Sequence, residues 1–293
     1  MRIGAKVPNS GPLPVERGIG AMAKGLESAG FESLWVSDHV VMPSVVTSWY
    51  PFAADGKPDW PSTTPYFDAM ISLTAIAAAT ERAVIGTAVL VLPMRHPVIL
   101  AKEAASIDVL SGGRLTLGIG VGWLGDEYDA LNVPFETRGR RFVEWIEILR
   151  RCWTGSPESF EGEFYSIPSG VQCMPQPAHD IPLLVGGHSK TAFSRAGSIA
   201  NGWLAQQSAT ELDHQSLRDD IAHVRHAAES SDHDPSLVWT TLRIVDSAAN
   251  LDATVRALPL LRESGVDEII VDADWTQPTS LPDVYGVLRN AGE

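Results

Sequence analysis

Eight short apolar runs, each followed by a stretch of helical periodicity, set the tightest limit on what this 293-residue chain can fold into. The strand-like runs are residues 2–7, 33–36, 83–92, 115–121, 183–185, 202–205, 237–245 and 268–272. Between them, apolar residues recur three and four apart. Residues 14–29 carry Ile19, Met22, Ala23, Leu26 and Ala29 in phase, and Gly30 stops the pattern. Further helices are expected over 67–80, 96–110 (Pro97 in its first turn, Gly112-Gly113 after it), 138–153, 189–200, within 211–230, and over 251–264 and 282–290. Strand and helix alternating eight times predict an α/β fold, a single (β/α)8 TIM barrel spanning 1–293 as one domain. No glycine fingerprint joins the first strand to the first helix, which argues against a dinucleotide-binding start. Two segments exceed normal loop lengths: an insertion after strand 2, residues 40–66, rich in proline and aromatics (Trp49, Tyr50, Phe52, Trp60, Tyr66), and one before strand 5, residues 154–181, with a hairpin expected at 160–175. Long loops on a barrel carry function or cover a site.

Charge narrows the partners. The formal net charge of −14 repels a phosphate backbone and an anionic membrane surface, so neither nucleic acid nor membrane is expected as a partner. No stretch is long enough for a membrane span, and the N-terminus has no apolar signal core. Cys152 and Cys173 make neither a disulfide framework nor a zinc pattern, and read as free thiols of a cytoplasmic protein. His179, His188, His214, His223, His226 and His233 form no recognisable metal set. His223 and His226 share a helix face, but no carboxylate or cysteine completes a site, so no metal is expected. The first strand ends Lys6-Val7-Pro8, where metal-dependent barrel hydrolases often place His-x-His.

In a TIM barrel the C-terminal strand ends carry the chemistry. Asp38 and His39 follow the second strand. A neutral imidazole there can give or take a proton near pH 7. Asp38 would orient it or bind a cofactor edge; the alternative is a loop cap beside a satisfied histidine. In the third strand, Gly86 precedes Thr87, Ala88 and Val89, small enough for a flat ring to approach, although a buried parallel strand reads the same way. Gly118, Gly120 and Gly122 alternate, so one face of the fourth strand is bare and something should pack against it. Gly186-Gly187-His188-Ser189-Lys190 runs from the fifth strand into a helix start, where backbone N–H groups and Ser189 suit an anion; a plain capped turn is the equal alternative.

Taken in order, these segments resemble the luciferase-like monooxygenase superfamily, and in particular its bacterial branch of F420-dependent oxidoreductases. The markers are Ala29-Gly30-Phe31-Glu32-Ser33-Leu34-Trp35-Val36-Ser37-Asp38-His39, Thr80-Glu81-Arg82 with Gly86-Thr87-Ala88-Val89, Arg95-His96-Pro97 with Ala101-Lys102, Asp108-Val109-Leu110-Ser111-Gly112-Gly113-Arg114, Gly118-Ile119-Gly120-Val121-Gly122-Trp123, and Val185-Gly186-Gly187 with Asn201-Gly202-Trp203. The resemblance implies a cofactor at the C-terminal mouth, coenzyme F420 or alternatively FMN. It implies a non-proline cis peptide at Ala88–Val89 propping the ring, Asp38 at the ring, His39 near the reacting centre, and Gly186 and Gly187 on a phosphate. Thr87, Ala88, Val89, Gly120, Gly122 and Ser189 complete the implied cofactor contacts. Related deazaflavin dehydrogenases carry a glutamate where this chain has Trp123, which puts sugar-phosphate oxidation in doubt and leaves the proton donor open, with Glu127 a few residues on.

The expected reaction is hydride transfer between the deazaflavin and a small organic substrate, the cofactor carrying the redox step. FMN in the same barrel would permit monooxygenation instead. A barrel that binds cofactor without catalysis is the third reading. A homodimer is compatible with the sequence.

Overall fold

The computed structural model describes residues 1–51, 55–58 and 60–292; Phe52 of the aromatic segment lies outside the described residues. Elements run β1 (Arg2–Lys6), α1 (Leu13–Arg17), α2 (Ile19–Ala29), β2 (Ser33–Val36), α3 (Ala69–Ala79), β3 (Val84–Val91), α4 (Pro97–Ser111), β4 (Leu115–Gly120), α5 (Gly125–Ala130) and α6 (Arg138–Trp153). A hairpin of β5 (Phe160–Glu161) and β6 (Ser166–Ile167) follows. Then come β7 (Leu183–Gly186), α7 (Lys190–Ile199), β8 (Gly202–Ser208), α8 (His214–Glu229), β9 (Trp239–Val245), α9 (Leu251–Glu263), β10 (Glu268–Val271) and α10 (Leu281–Gly292). The parallel strands close into a barrel in the order β1-β10-β9-β8-β7-β4-β3-β2, the (β/α)8 architecture expected from the alternation.

Period-two alternation sorts the strand residues into two cores. Ile3, Ala5, Leu34, Ile85, Leu117 and Ile119 face the helices and are buried with them. Trp35, Leu184, Leu204 and Ile270 fill the barrel, with Ala88, Val89 and Trp239 packed on them. The N-terminal end of the barrel is closed by the buried Glu268, whose Oε1 accepts from the Ser33 hydroxyl and, at 3.0 Å, from Trp35 Nε1. Gly4 is open there because a Cβ would strike the Ser33 hydroxyl.

Two elements depart from the sequence reading. The helix expected over 14–29 is two helices, because Gly18 takes a positive φ of 78° and breaks the ladder between α1 and α2. The acidic α5, over Gly-Asp-Glu-Tyr-Asp-Ala, carries no apolar period that would announce it.

Glu27, on α2, shows how the helix layer is fixed to the sheet. Its Oε1 accepts from the N–H groups of Arg82 (2.7 Å), Ala83 (2.8 Å) and Glu81 (3.0 Å), which lead into β3. Burial alone would raise its pKa, but these three donors outweigh it and hold the carboxyl below its usual value. A depressed carboxyl contributes stability above its unfolded pKa and loses it as pH falls through the folded one. Glu27→Gln should therefore destabilise by about 1.5–3 kcal/mol at pH 7. The gap between the two proteins, read from urea unfolding, should shrink as pH is lowered below the usual carboxyl range. A gap that stays constant with pH would show that the charge is not what matters.

Candidate active site

The Ala88–Val89 peptide is cis, as the resemblance implied, and the β3–β4 register slips between Thr87 and Leu90. The slip pushes Val89 into the C-terminal mouth. A Cβ on Gly120 would lie 2.9 Å from one methyl of Val89, and a Cβ on Gly186 would lie 2.6 Å from the other. The bare faces of β4 and β7 thus have an occupant from the chain itself. Gly122 plays the same part for Val91, whose Cγ1 would be 2.6 Å from its Cβ. Ala88, Val89 and Gly186 remain half-exposed and form an apolar wall on the β3–β4–β7 side.

His39 leaves the end of β2 and meets Glu127 of α5. Its Nδ1 lies 2.8 Å from Glu127 Oε2, while Oε1 accepts from the N–H groups of Val40 (2.7 Å) and Val41 (3.2 Å). Glu127 is 1% exposed, so its carboxylate has no solvent to turn to. A carboxylate already facing two backbone donors can only accept from the ring, so Nδ1 is the donating nitrogen and Nε2 is the one turned away from Glu127. Three aromatic rings surround this imidazole, and a fourth joins two of them. Tyr66 lies at 5.2 Å edge-on, Trp123 at 6.2 Å and Trp60 at 6.3 Å, and Tyr50 bridges Trp60 (5.2 Å) and Trp123 (4.9 Å). α5 also fastens the start of the insertion, since Asp126 accepts from Thr47 and Ser48, both at 3.2 Å. The residue that orients His39 is therefore Glu127, not Asp38.

Asp38 is committed elsewhere. Its Oδ1 accepts from Arg95 Nη2 at 2.6 Å and its Oδ2 from the Val91 N–H at 3.0 Å. Burial pushes the Asp38 carboxyl up, and Arg95 and Val91 pull against that rise. Arg95 Nη2 also reaches Asp68 Oδ2 at 2.8 Å. Asp68 caps α3 by accepting from Met70 (2.8 Å) and Ile71 (3.0 Å). Burial works against the Arg95 cation, yet Asp38 and Asp68 outweigh it and raise its pKa. One guanidinium thus joins the end of β2, the start of α3 and the exit of β3.

The remaining expected contacts are spread around the mouth. Thr87 is fully buried and donates to the Gly118 carbonyl at 2.7 Å, so its side chain does not reach the mouth. Gly187 adopts φ 121°, and its carbonyl accepts from Trp203 Nε1 at 2.8 Å. The Ser189 hydroxyl caps α7 by accepting from Ala192 N–H at 3.1 Å. Opposite the apolar wall the mouth is polar. Lys6, Gln206 and Asp272 are half-buried there, and Arg243 Nη2 lies 2.5 Å from Asp272 Oδ1. This polar wall is not among the sites expected from the sequence. A lysine at the inward position of an otherwise apolar β1, and an arginine inside Thr-Thr-Leu-Arg-Ile-Val, were the signals available.

No helix among the described residues is long and apolar enough to cross a membrane. The sequence model of the luciferase-like monooxygenases matches residues 3–273. An uncharacterised Mycobacterium tuberculosis protein is 34% identical over 85% of this chain and 83% of its own length. An F420-dependent glucose-6-phosphate dehydrogenase from Nakamurella multipartita is 30% identical over 62% of this chain and 50% of its own. Among solved structures, an F420-dependent secondary alcohol dehydrogenase bound to an F420–acetone adduct superposes with a TM-score of 0.78 at 17% identity, covering 100% of this chain and 99% of that one. With a match running from β1 past β10 and a barrel of the same build, the chain belongs to the luciferase-like monooxygenase family of oxidoreductases.

Proposed function

We propose that this enzyme transfers a hydride between coenzyme F420 and a small organic substrate, with His39 moving the accompanying proton. The observation that carries this reading is the His39–Glu127 pair, set in an aromatic box at the C-terminal mouth with Nε2 free of the carboxylate. The F420 dependence of the Nakamurella relative supports the deazaflavin over FMN. The residues present suit a flat cofactor: the half-exposed Ala88–Val89 wall offers an apolar bed, and the glycines of β4 and β7 leave it uncovered. Gly186, the last residue of β7, and Gly187, in the turn that leads into α7, would hold a phosphate through backbone N–H groups. Asp38 would act on the ring through β3, whose exit it anchors at Val91, rather than by direct contact. Bound there, the deazaflavin supplies the hydride donor or acceptor.

The chain's own part is orientation, exclusion of water and the proton. Glu127 holds the ring so that Nε2 can accept a proton from a substrate hydroxyl, and steadies the positive charge that results. Trp60, Tyr66 and Trp123 cover the imidazole, with Tyr50 packed against the two tryptophans, and favour an apolar substrate body beside it.

Titration with F420 and, separately, FMN tests the cofactor. Quenching of F420 fluorescence at micromolar concentration, with FMN weaker, is expected; tight FMN binding with no response to F420 would reverse the assignment. Gly186→Ala should push Val89 off its seat and weaken cofactor binding about tenfold, a loss of about 1.4 kcal/mol. Adding Val89→Ala should restore much of it by removing the clash. If the single variant binds like wild type, the wall is not where the cofactor lies.

A further inference from the structure

The polar side of the mouth holds an ammonium group with nothing to donate to. Lys6 is the last residue of β1, and β1 alternates: Ile3 and Ala5 face the helices, so Gly4 and Lys6 face the barrel. Its neighbour in register on β2 is Trp35, which carries no charge. Ala5 pairs with Val271 of β10, which places Lys6 beside Asp272, and Ile270 pairs with Arg243 of β9. Arg243 is held in place: Nη2 on Asp272 at 2.5 Å, Nη1 on the carbonyls of Ile244 (2.8 Å) and Ile270 (3.4 Å). Asp272 is therefore shared, two cations to one carboxylate. No described residue accepts a hydrogen bond from Lys6 Nζ.

We propose that Lys6 is the anion-holding residue of the substrate site, taking a carboxylate or phosphate oxygen of the substrate across the mouth from the Val89 wall. The physical reason is the uncompensated charge. A half-buried ammonium beside a guanidinium is stabilised by an oxyanion that neither Asp272 nor solvent can fully replace. Burial, then the repulsion of Arg243, lower the Lys6 pKa to about 8 against the pull of Asp272, so an arriving anion also draws a proton onto the amine. The substrate class is then a small organic anion, its charged end on Lys6 and its apolar body toward the aromatic box. The assignment to substrate rests on the mouth being the active site, and not on which cofactor binds.

The test is run on the full chain with no cofactor present, so it succeeds or fails independently of the F420 reading. The chain has five lysines, Lys6, Lys24, Lys57, Lys102 and Lys190, whose amines can be carbon-13 methylated and followed by NMR. The Lys6 signal is the one missing from Lys6→Met, or from Lys6→Gln should the first variant fold poorly. Sodium acetate and inorganic phosphate are titrated in separately, with chloride holding the ionic strength. The Lys6 signal alone should shift saturably with at least one of them and its titration midpoint should rise. Binding should weaken about tenfold between pH 7 and pH 9, as the amine loses its proton. Response to acetate alone indicates a carboxylate substrate, and response to phosphate alone a phosphorylated one. A Lys6 signal that follows neither anion beyond the chloride control overturns the proposal. Cofactor affinity separates the remaining source: unchanged in Lys6→Met, it leaves the oxyanion with the substrate; weakened tenfold or more, it moves the oxyanion to the cofactor and overturns the substrate assignment.

Discussion

His39→Ala should lower turnover by about 10²–10⁴-fold, the range that a positioned general acid–base supplies, while cofactor affinity stays near wild type and stability falls by about 1–3 kcal/mol, because the buried Glu127 Oε2 loses its partner. The ring is 12% exposed, lined by aromatics and pinned on one nitrogen only. Its loss leaves Glu127 still bonded to the N–H groups of Val40 and Val41, so the loop keeps its anchor. Glu127→Gln should be the milder relative, at about 10–10³-fold. An amide has one acceptor oxygen where the carboxylate had two, so either the ring or the backbone pair loses its partner. The defect should sit in kcat more than in KM, because the ring is mis-set rather than the substrate expelled. The measurement is the absorbance change of the cofactor at saturating substrate, with calorimetry alongside. If His39→Ala turns over like wild type, the proton passes elsewhere and the box is packing.

The strands were legible because a closed parallel barrel buries both faces of its strands, so that short β-branched runs stand out between the helical stretches. Val84–Val91 and Trp239–Val245 are both runs rich in β-branched residues, the second broken only by Leu242 and Arg243 after its leading Trp239. α5 was not, since its six residues owe their helix to tertiary bonds such as Tyr128 to the Val121 carbonyl at 2.7 Å. The same limit governs the site. That Asp38 and His39 stand at a strand end could be read locally, but their partners, Arg95 and Glu127, are 57 and 88 residues away. Composition had no way to assign the guanidinium to one and the carboxylate to the other. The bare glycine faces of β4 and β7 were equally visible as empty space. What fills the space nearest them is Val89 of β3, brought there by a register slip that no single-strand pattern encodes. Lys6 stands where a His-x-His would sit in a metal-dependent barrel, and its role is legible only in the alternation of β1, which turns it inward.

Arg95→Ala should be among the most destabilising single changes in the chain, at about 3–5 kcal/mol. For a domain of this size, that is a fall in melting temperature of roughly 10 °C. The argument turns on what is left behind. Asp38 has no exposed side-chain surface, and without the guanidinium its carboxylate keeps only the Val91 N–H. It must either hold a buried charge unpaired or take a proton, and both are unfavourable. Asp68 is less affected, being partly exposed and still capped onto Met70 and Ile71. Trp145 is unaffected, because its indole donates to the Arg95 carbonyl rather than to the side chain. Stranded charge and lost packing predict different rescues. If charge dominates, adding Asp38→Asn to Arg95→Leu should recover more than half of the loss, since no ion remains to be buried. If packing dominates, the second change should make matters worse. Cofactor affinity should fall in Arg95→Ala beyond what unfolding explains, because Asp38 holds Val91 two residues past the wall-forming Val89. An Arg95→Ala protein that loses less than about 1 kcal/mol would mean that the network is a surface-like pair, and that β3 needs no anchor at its exit.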